Sequence, residues 1–361
     1  MTLFLLTFIV VFTIPLLPCL VEVIAPTDLE PLVIVQQYDT DITHFANGFK
    51  VWLKKHFNEL FIAQTNYSAE NITGTLLNHT AYQIIGPGGV PSFSREEIYN
   101  KCTQNLIISS ASIKLMEAML HEGEIYSADK IQTAGHSQFR AMLAEGDITL
   151  GENCTVLRWI HSDASLYVAA GCNLYGRASA KQIITLSENC HFERLNAHKI
   201  SFGTAPAMAE QSKADLVKLK DLPIVKSKYK RRWLIDGDFC VPARSSFNGD
   251  IVSSKIIHVG IGSHIIGNIK SNEDIYLAVG VRVDGSIVSG GNIYIGTNCH
   301  VGGPVISENI ILIDKNSVIG DEDRPTTITA SEIHVTTGVT AFGTVWADKS
   351  ATVLPVVMAN A

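Results

Sequence analysis

Histidine and cysteine are the residues of this chain whose types and spacing could do chemistry. His264 and His300 stand two 18-residue intervals apart, and His258 and His334 share another recurring position. An imidazole held at a fixed place can act as the general base of acyl transfer. Cys154, Cys172 and Cys190 follow one another every 18 residues, and Cys299 holds the same place in a later repeat. A ladder of thiols could bind a soft metal or take part in redox exchange. Which of these chemistries is open depends on where the repeat directs each side chain.

Numbering each unit from Gly249, Gly267, Gly285 and Gly303, aliphatic residues recur at fixed even offsets. Ile251, Ile269, Ile287 and Val305 sit two residues on, and Ile257, Ile275, Ile293 and Ile311 eight on. Val259, Leu277, Ile295 and Ile313 sit ten on, and Ile265, Val283, Val301 and Ile319 sixteen on. The fourth position is always serine, from Ser253 to Ser307. Even offsets point to one side of an extended backbone. The thirteenth position holds Gly262, Gly280, Asn298 and Asn316, the residue types that best tolerate a left-handed turn. The insert "DEDR" at 321–324 shifts the phase, and the pattern resumes from Pro325. An earlier, less regular half fits the same template through Ile148, Leu166 and Ile184, with Asn153, Gly171 and Asn189 at the turn.

A short repeat with inward aliphatics and turn residues at fixed phase predicts an all-β protein, a three-sided parallel β-helix of about 18 residues per coil. The cysteine position is then inward, and free cysteine packs as a small buried hydrophobe. A straight ladder does not converge tetrahedrally, so neither a metal nor a cofactor is expected. Adjacent unpaired thiols also suit a reducing compartment. His264 and His300 fall on outward positions with no carboxylate recurring beside them at fixed phase. Asp321, Glu322 and Asp323 lack a spaced set of oxygen ligands and read as a surface loop. No catalytic residue is therefore assigned, and the chain is not expected to be an enzyme.

The flanking regions are read from hydropathy. Residues 1–26 form an expected membrane anchor, with Leu3, Phe4, Leu5, Leu6, Phe8, Ile9, Val10, Val11 and Phe12 inside an uncharged apolar run. Residues 27–104 form a juxtamembrane region whose segment 41–61 is an amphipathic helix, with Ile42, Phe45, Phe49, Leu53, Phe57 and Leu60 on one face. Residues 62–104 otherwise read as irregular. A first β-helix block covers 105–202, a basic linker 203–230, a second block 231–347 and a tail 348–361. The net charge of −7 argues against a nucleic-acid partner.

Over 231–347 the chain resembles the bactofilins, a bacterial family of polymer-forming cytoskeletal proteins. The resemblance rests on "GDIVSSKIIHVG", "GNIKSNEDIYLAVG", "GSIVSGGNIYIG" and "GPVISENIILI". "PTTITASEIHV", "GTVWA" and "PTDLEPLVIVQQYDTDITHFANGF" are similar to a membrane-anchored subgroup. The resemblance implies a right-handed β-helix that polymerises end to end and scaffolds cell-wall or polysaccharide machinery near the envelope; with the unpaired thiols, the expected location is the bacterial inner membrane with the β-helix on its cytoplasmic side. The expected partners are a second copy, the membrane and envelope-synthesis proteins. Phe342 and Trp346, near the last coil, are the candidate polymer contact. Two alternatives remain: a hexapeptide-repeat acyltransferase acting on an envelope sugar, with His264 or His300 as base, and an exported β-helical adhesin or carbohydrate binder.

Overall fold

In a computed structural model, residues 43–67, 71–87, 89–115, 118–203, 225–226 and 232–355 are described. The expected anchor lies outside them. No helix among the described residues is long and apolar enough to cross a membrane.

The body is a parallel β-solenoid with three short strands per turn. In the second half Ile251 pairs with Ile269, Ile287 and Val305 in successive coils. Ile257 stacks through Ile275 and Ile293 to Ile311 on the next face. Ile265, Val283, Val301 and Ile319 form the third. All twelve are fully buried. The thirteenth position turns each coil as its residue types predict: Asn153, Gly171, Asn189, Gly262, Gly280, Asn298 and Asn316 all have positive φ. The ladder continues through Arg244, at φ 55°, a residue with no intrinsic preference for that conformation.

The serine ladder closes another corner. The hydroxyls of Ser289 and Ser307 donate to the Glu273 and Gly291 carbonyls of the coil before, at 2.6 and 2.7 Å. Each also accepts from the backbone N–H two residues on. Ser253 and Ser271 bond in the same way to Gly237 and Lys255. A buried hydroxyl thus satisfies groups that the corner takes out of the strand ladder.

Several boundaries differ from the sequence reading. Winding begins before residue 105, because Ala81–Ile85 already pairs in parallel with Leu106–Ser109. The region read as irregular contains an antiparallel hairpin, Ile72–Thr75 with Ala81–Ile85, and a short helix, Arg95–Asn100, closed by a Ser94–Glu97 capping box. The linker carries a two-residue strand, Val225–Lys226, paired antiparallel with Arg232–Ile235. The tail is not free: the strand Val339–Leu354 runs well past residue 347 and stops before Pro355.

The helix spans His44–Tyr67 (α1) and packs on the first block. Its buried face is Ala46, Leu53 and Phe57, seated on Ile84, Leu106, Ile108, Tyr126 and Leu143. Phe45 was expected on that face but is half exposed. The face is rotated toward Trp52, which joins Phe49 on this cluster beside Trp159, while Phe45 lies at its margin.

The two blocks do not continue one winding. The last strand of the first, His191–Phe202, pairs antiparallel with the last strand of the second, Val339–Leu354. Leu195 faces Val345 and Phe202 faces Val339, all buried, and one apolar core runs through both blocks across this seam. The C-terminal edge of each solenoid therefore closes the other.

Candidate functional site

The outward ladder of the third face places His264, Arg282 and His300 side by side in successive coils. Contrary to the sequence reading, both histidines have carboxylate partners. His264 Nε2 lies 2.9 Å from Asp284, which also accepts from Arg282 Nε at 2.8 Å. His300 Nε2 lies 3.0 Å from Asp321, which is held in turn by Arg324 at 3.0 Å. The partners sit one coil on at offsets of 20 and 21 residues, so a search at equal phase passes over them. Burial opposes ionisation at Asp284, but the Arg282 and His264 hydrogen bonds win and hold its carboxyl below the usual range. Each arrangement can orient an imidazole. His300 is only 12% exposed at its side chain, and its Nδ1 finds no partner.

A second constellation was missed by sequence reasoning. Under α1, His161 bridges Ser179 (Nδ1 to Oγ, 2.8 Å) and Asp163 (Nε2 to Oδ1, 3.1 Å). The three residue types are those of an acyl-transfer triad. Ser179 and His161 are nevertheless 3% and 2% exposed, and Asp163 is engaged by Lys50 of α1 and by Lys181. Burial disfavours the Asp163 carboxylate, yet the two ammonium groups and His161 hold it down at about 2. Burial lowers His161, with Asp163 only partly offsetting it, so this imidazole is neutral at pH 7. The cluster works as a latch: Lys50 also reaches Glu145 at 3.2 Å, and Glu145 accepts from the Tyr126 hydroxyl. The sequence signal was the continuous apolar run "LII" at 106–108, since a strand buried on both faces needs a cover.

The cysteine ladder is inward, as its phase predicts; Cys154, Cys172, Cys190 and Cys299 are fully buried. The sulfhydryls of Cys172, Cys190 and Cys299 donate to carbonyls 21 residues earlier: Gly151, Ala169 and Ala278, at 3.1 to 3.2 Å. Ser263 and Ser317 make the same bond to Pro242 and Gly296 from the same phase. Cysteine here is thus a small corner donor exchangeable with serine. Burial pushes the Cys299 thiol up to about 11, which leaves it protonated and unreactive at pH 7.

Phe342 and Trp346 both lie in the strand that forms the seam. Trp346 is covered by the Arg194 guanidinium, 4.3 Å from the ring centroid. Phe342 is half buried and meets His198 edge-on at 6.4 Å. Their contacts in this structure are therefore between the two blocks of one chain. The second face carries a further outward stack, His258, Tyr276 and Tyr294, with ring centroids 4.8 and 4.7 Å apart and nearly parallel planes. Comparison with protein-family models, with curated proteins and with solved structures finds no match to this chain.

Proposed function

We propose that this protein is a membrane-tethered, self-assembling scaffold of the bactofilin type, right-handed in its winding, which positions cell-wall or polysaccharide machinery at the cytoplasmic side of a bacterial inner membrane. The segment before α1 supplies the tether, and the solenoid supplies a stiff body with outward ladders for partners.

The observation that carries this reading is the seam. A solenoid end leaves a row of backbone donors and acceptors that must be capped or paired. In this chain two C-terminal ends meet that need by antiparallel strand pairing with a shared core. At the N-terminal end of the second block Val225–Lys226 covers the Arg232–Ile235 strand, but the Phe239–Val241 strand leaves an edge of the same kind. Phe239 N–H donates to Ile256 and the Val241 carbonyl accepts from Gly260, so Cys240 between them turns its own N–H and C=O to the outer edge. The inward places of that coil hold Trp233, Phe239 and Phe247 where later coils carry isoleucine, an aromatic plug at the rod end. A second copy pairing there gives assembly through ends.

Electron microscopy and sedimentation of the detergent-solubilised full chain test the reading. Concentration-dependent rods or filaments are the expected outcome. A discrete trimer at every concentration would count against it. That outcome favours the acyltransferase reading, which the His264–Asp284 and His300–Asp321 pairs support. In that case His264→Asn or His300→Asn abolishes turnover.

A further inference from the structure

The first block carries a groove that none of the readings above uses. In the adjacent strands Thr155–Ser162 and Asn173–Ala180, two residues stand where the strand flanking the pair on either side, Gln138–Ala144 or His191–Phe202, has one. Leu157 and Arg158 bulge from one strand, and Tyr175 and Gly176 from the next. Gly176 adopts φ +79°, and a Cβ there would lie 2.1 Å from the Arg158 carbonyl, so the two bulges stack only with glycine at that place. Repeated bulges re-aim side chains out of a regular sheet, and such bulges cluster at binding sites.

What they frame is a groove of about 490 Å³, lined by Arg158, Arg177, Arg194, Tyr175 and Trp159, with Phe45 of the first turn of α1 at its side. Arg177 and Arg194 are register neighbours in adjacent strands. No carboxylate pairs with any of the three guanidiniums among the described residues. Arg177 lies over Phe45 at 4.9 Å and Arg194 over Trp346 at 4.3 Å, so aromatic rings hold both side chains in place without neutralising them. Glu193, the one carboxylate on the wall, is turned to the Gly176 N–H at 2.9 Å. The first turn of α1 carries no acidic residue either. Three guanidiniums against one carboxylate in a single groove stand out on a chain of net charge −7.

We propose that this groove binds a phosphate monoester. Guanidinium forks match phosphate oxygens two at a time, and three of them answer a dianion better than a single carboxylate charge. Leu157, Tyr175 and Trp159 supply an apolar wall for the body that carries the phosphate. The phosphate belongs either to a lipid headgroup or to a soluble ester. This site is independent of assembly through the solenoid ends.

The test is calorimetry on the full chain in uncharged detergent micelles, with short-chain phosphatidic acid, glycerol 3-phosphate and phosphatidylcholine as probes. Saturable binding of phosphatidic acid alone assigns the site to a lipid headgroup; binding of glycerol 3-phosphate as well assigns it to soluble esters. The Arg177→Gln/Arg194→Gln double variant weakens either at least tenfold, the Arg177→Lys/Arg194→Lys variant weakens it less, and Lys255→Gln leaves it unchanged. A circular-dichroism melt confirms that each variant is folded. Absence of binding to both phosphate probes overturns the proposal. So does affinity that is equal in the wild type and a folded double-glutamine variant.

Discussion

His121 is the residue whose ionisation the fold suppresses most plainly. It points inward, is 1% exposed, stacks on Phe139 at 5.1 Å, and neither ring nitrogen has a hydrogen-bond partner. Burial alone pulls its pKa down to about 4. Between pH 6.5 and 4 the unfolded chain binds this proton and the folded chain does not. Stability from this group is thus full above pH 6.5 and is lost as pH falls toward 4, by about 3 kcal/mol. His121→Phe, which keeps the ring stack, should flatten that part of the melting temperature against pH profile. The turn ladder gives a second prediction at this scale. Asn298→Ala forces an alanine to positive φ and should cost about 1–2 kcal/mol in denaturant unfolding, while Arg244→Gly should stabilise.

At the scale of elements, α1 is held by an apolar face and by one partly buried ionic latch. Leu53→Ala leaves a cavity against the first block and should cost about 3 kcal/mol. Hydrogen exchange of the α1 amides should then speed by roughly a hundredfold while the strands of the second block keep their protection. Lys50→Met leaves Asp163 with Lys181 and His161 alone, and should raise the Asp163 pKa measured by carbon-13 NMR. The helix was legible in the sequence from its apolar spacing. Its exact face was not, because Phe45 and Trp52 are equally apolar and only the shape of the solenoid surface chooses between them. The His–Asp pairs escaped for a related reason: side chains one coil apart meet diagonally, and a diagonal contact has no fixed phase.

At the scale of the molecule, the seam determines which ends remain for other copies. Cys240→Pro removes an N–H that faces only the outer edge. If assembly runs through that edge, the variant should sediment as the smallest species at concentrations where the wild type associates, with its melting temperature within a few degrees. Arg194→Ala strips the cover from Trp346 inside the seam and should lower stability without changing association, separating an internal contact from an external one.

The sequence by itself determined the repeat: its length, the inward aliphatic columns, the serine corner and the left-handed turn residues. These are local, since an 18-residue coil places each side chain by its own alternation and its own turn chemistry, and the neighbouring coils repeat it. Only the tertiary structure decided that the two blocks meet end against end, that α1 lies on the first and not elsewhere, and that Arg158, Arg177 and Arg194 share a groove. The first two join residues more than a hundred positions apart, as between Asn196 and Thr344 or Lys50 and Asp163, and the third depends on bulges that break the repeat. No periodicity records such a contact, because it depends on which complementary surfaces remain unburied once the coils have formed.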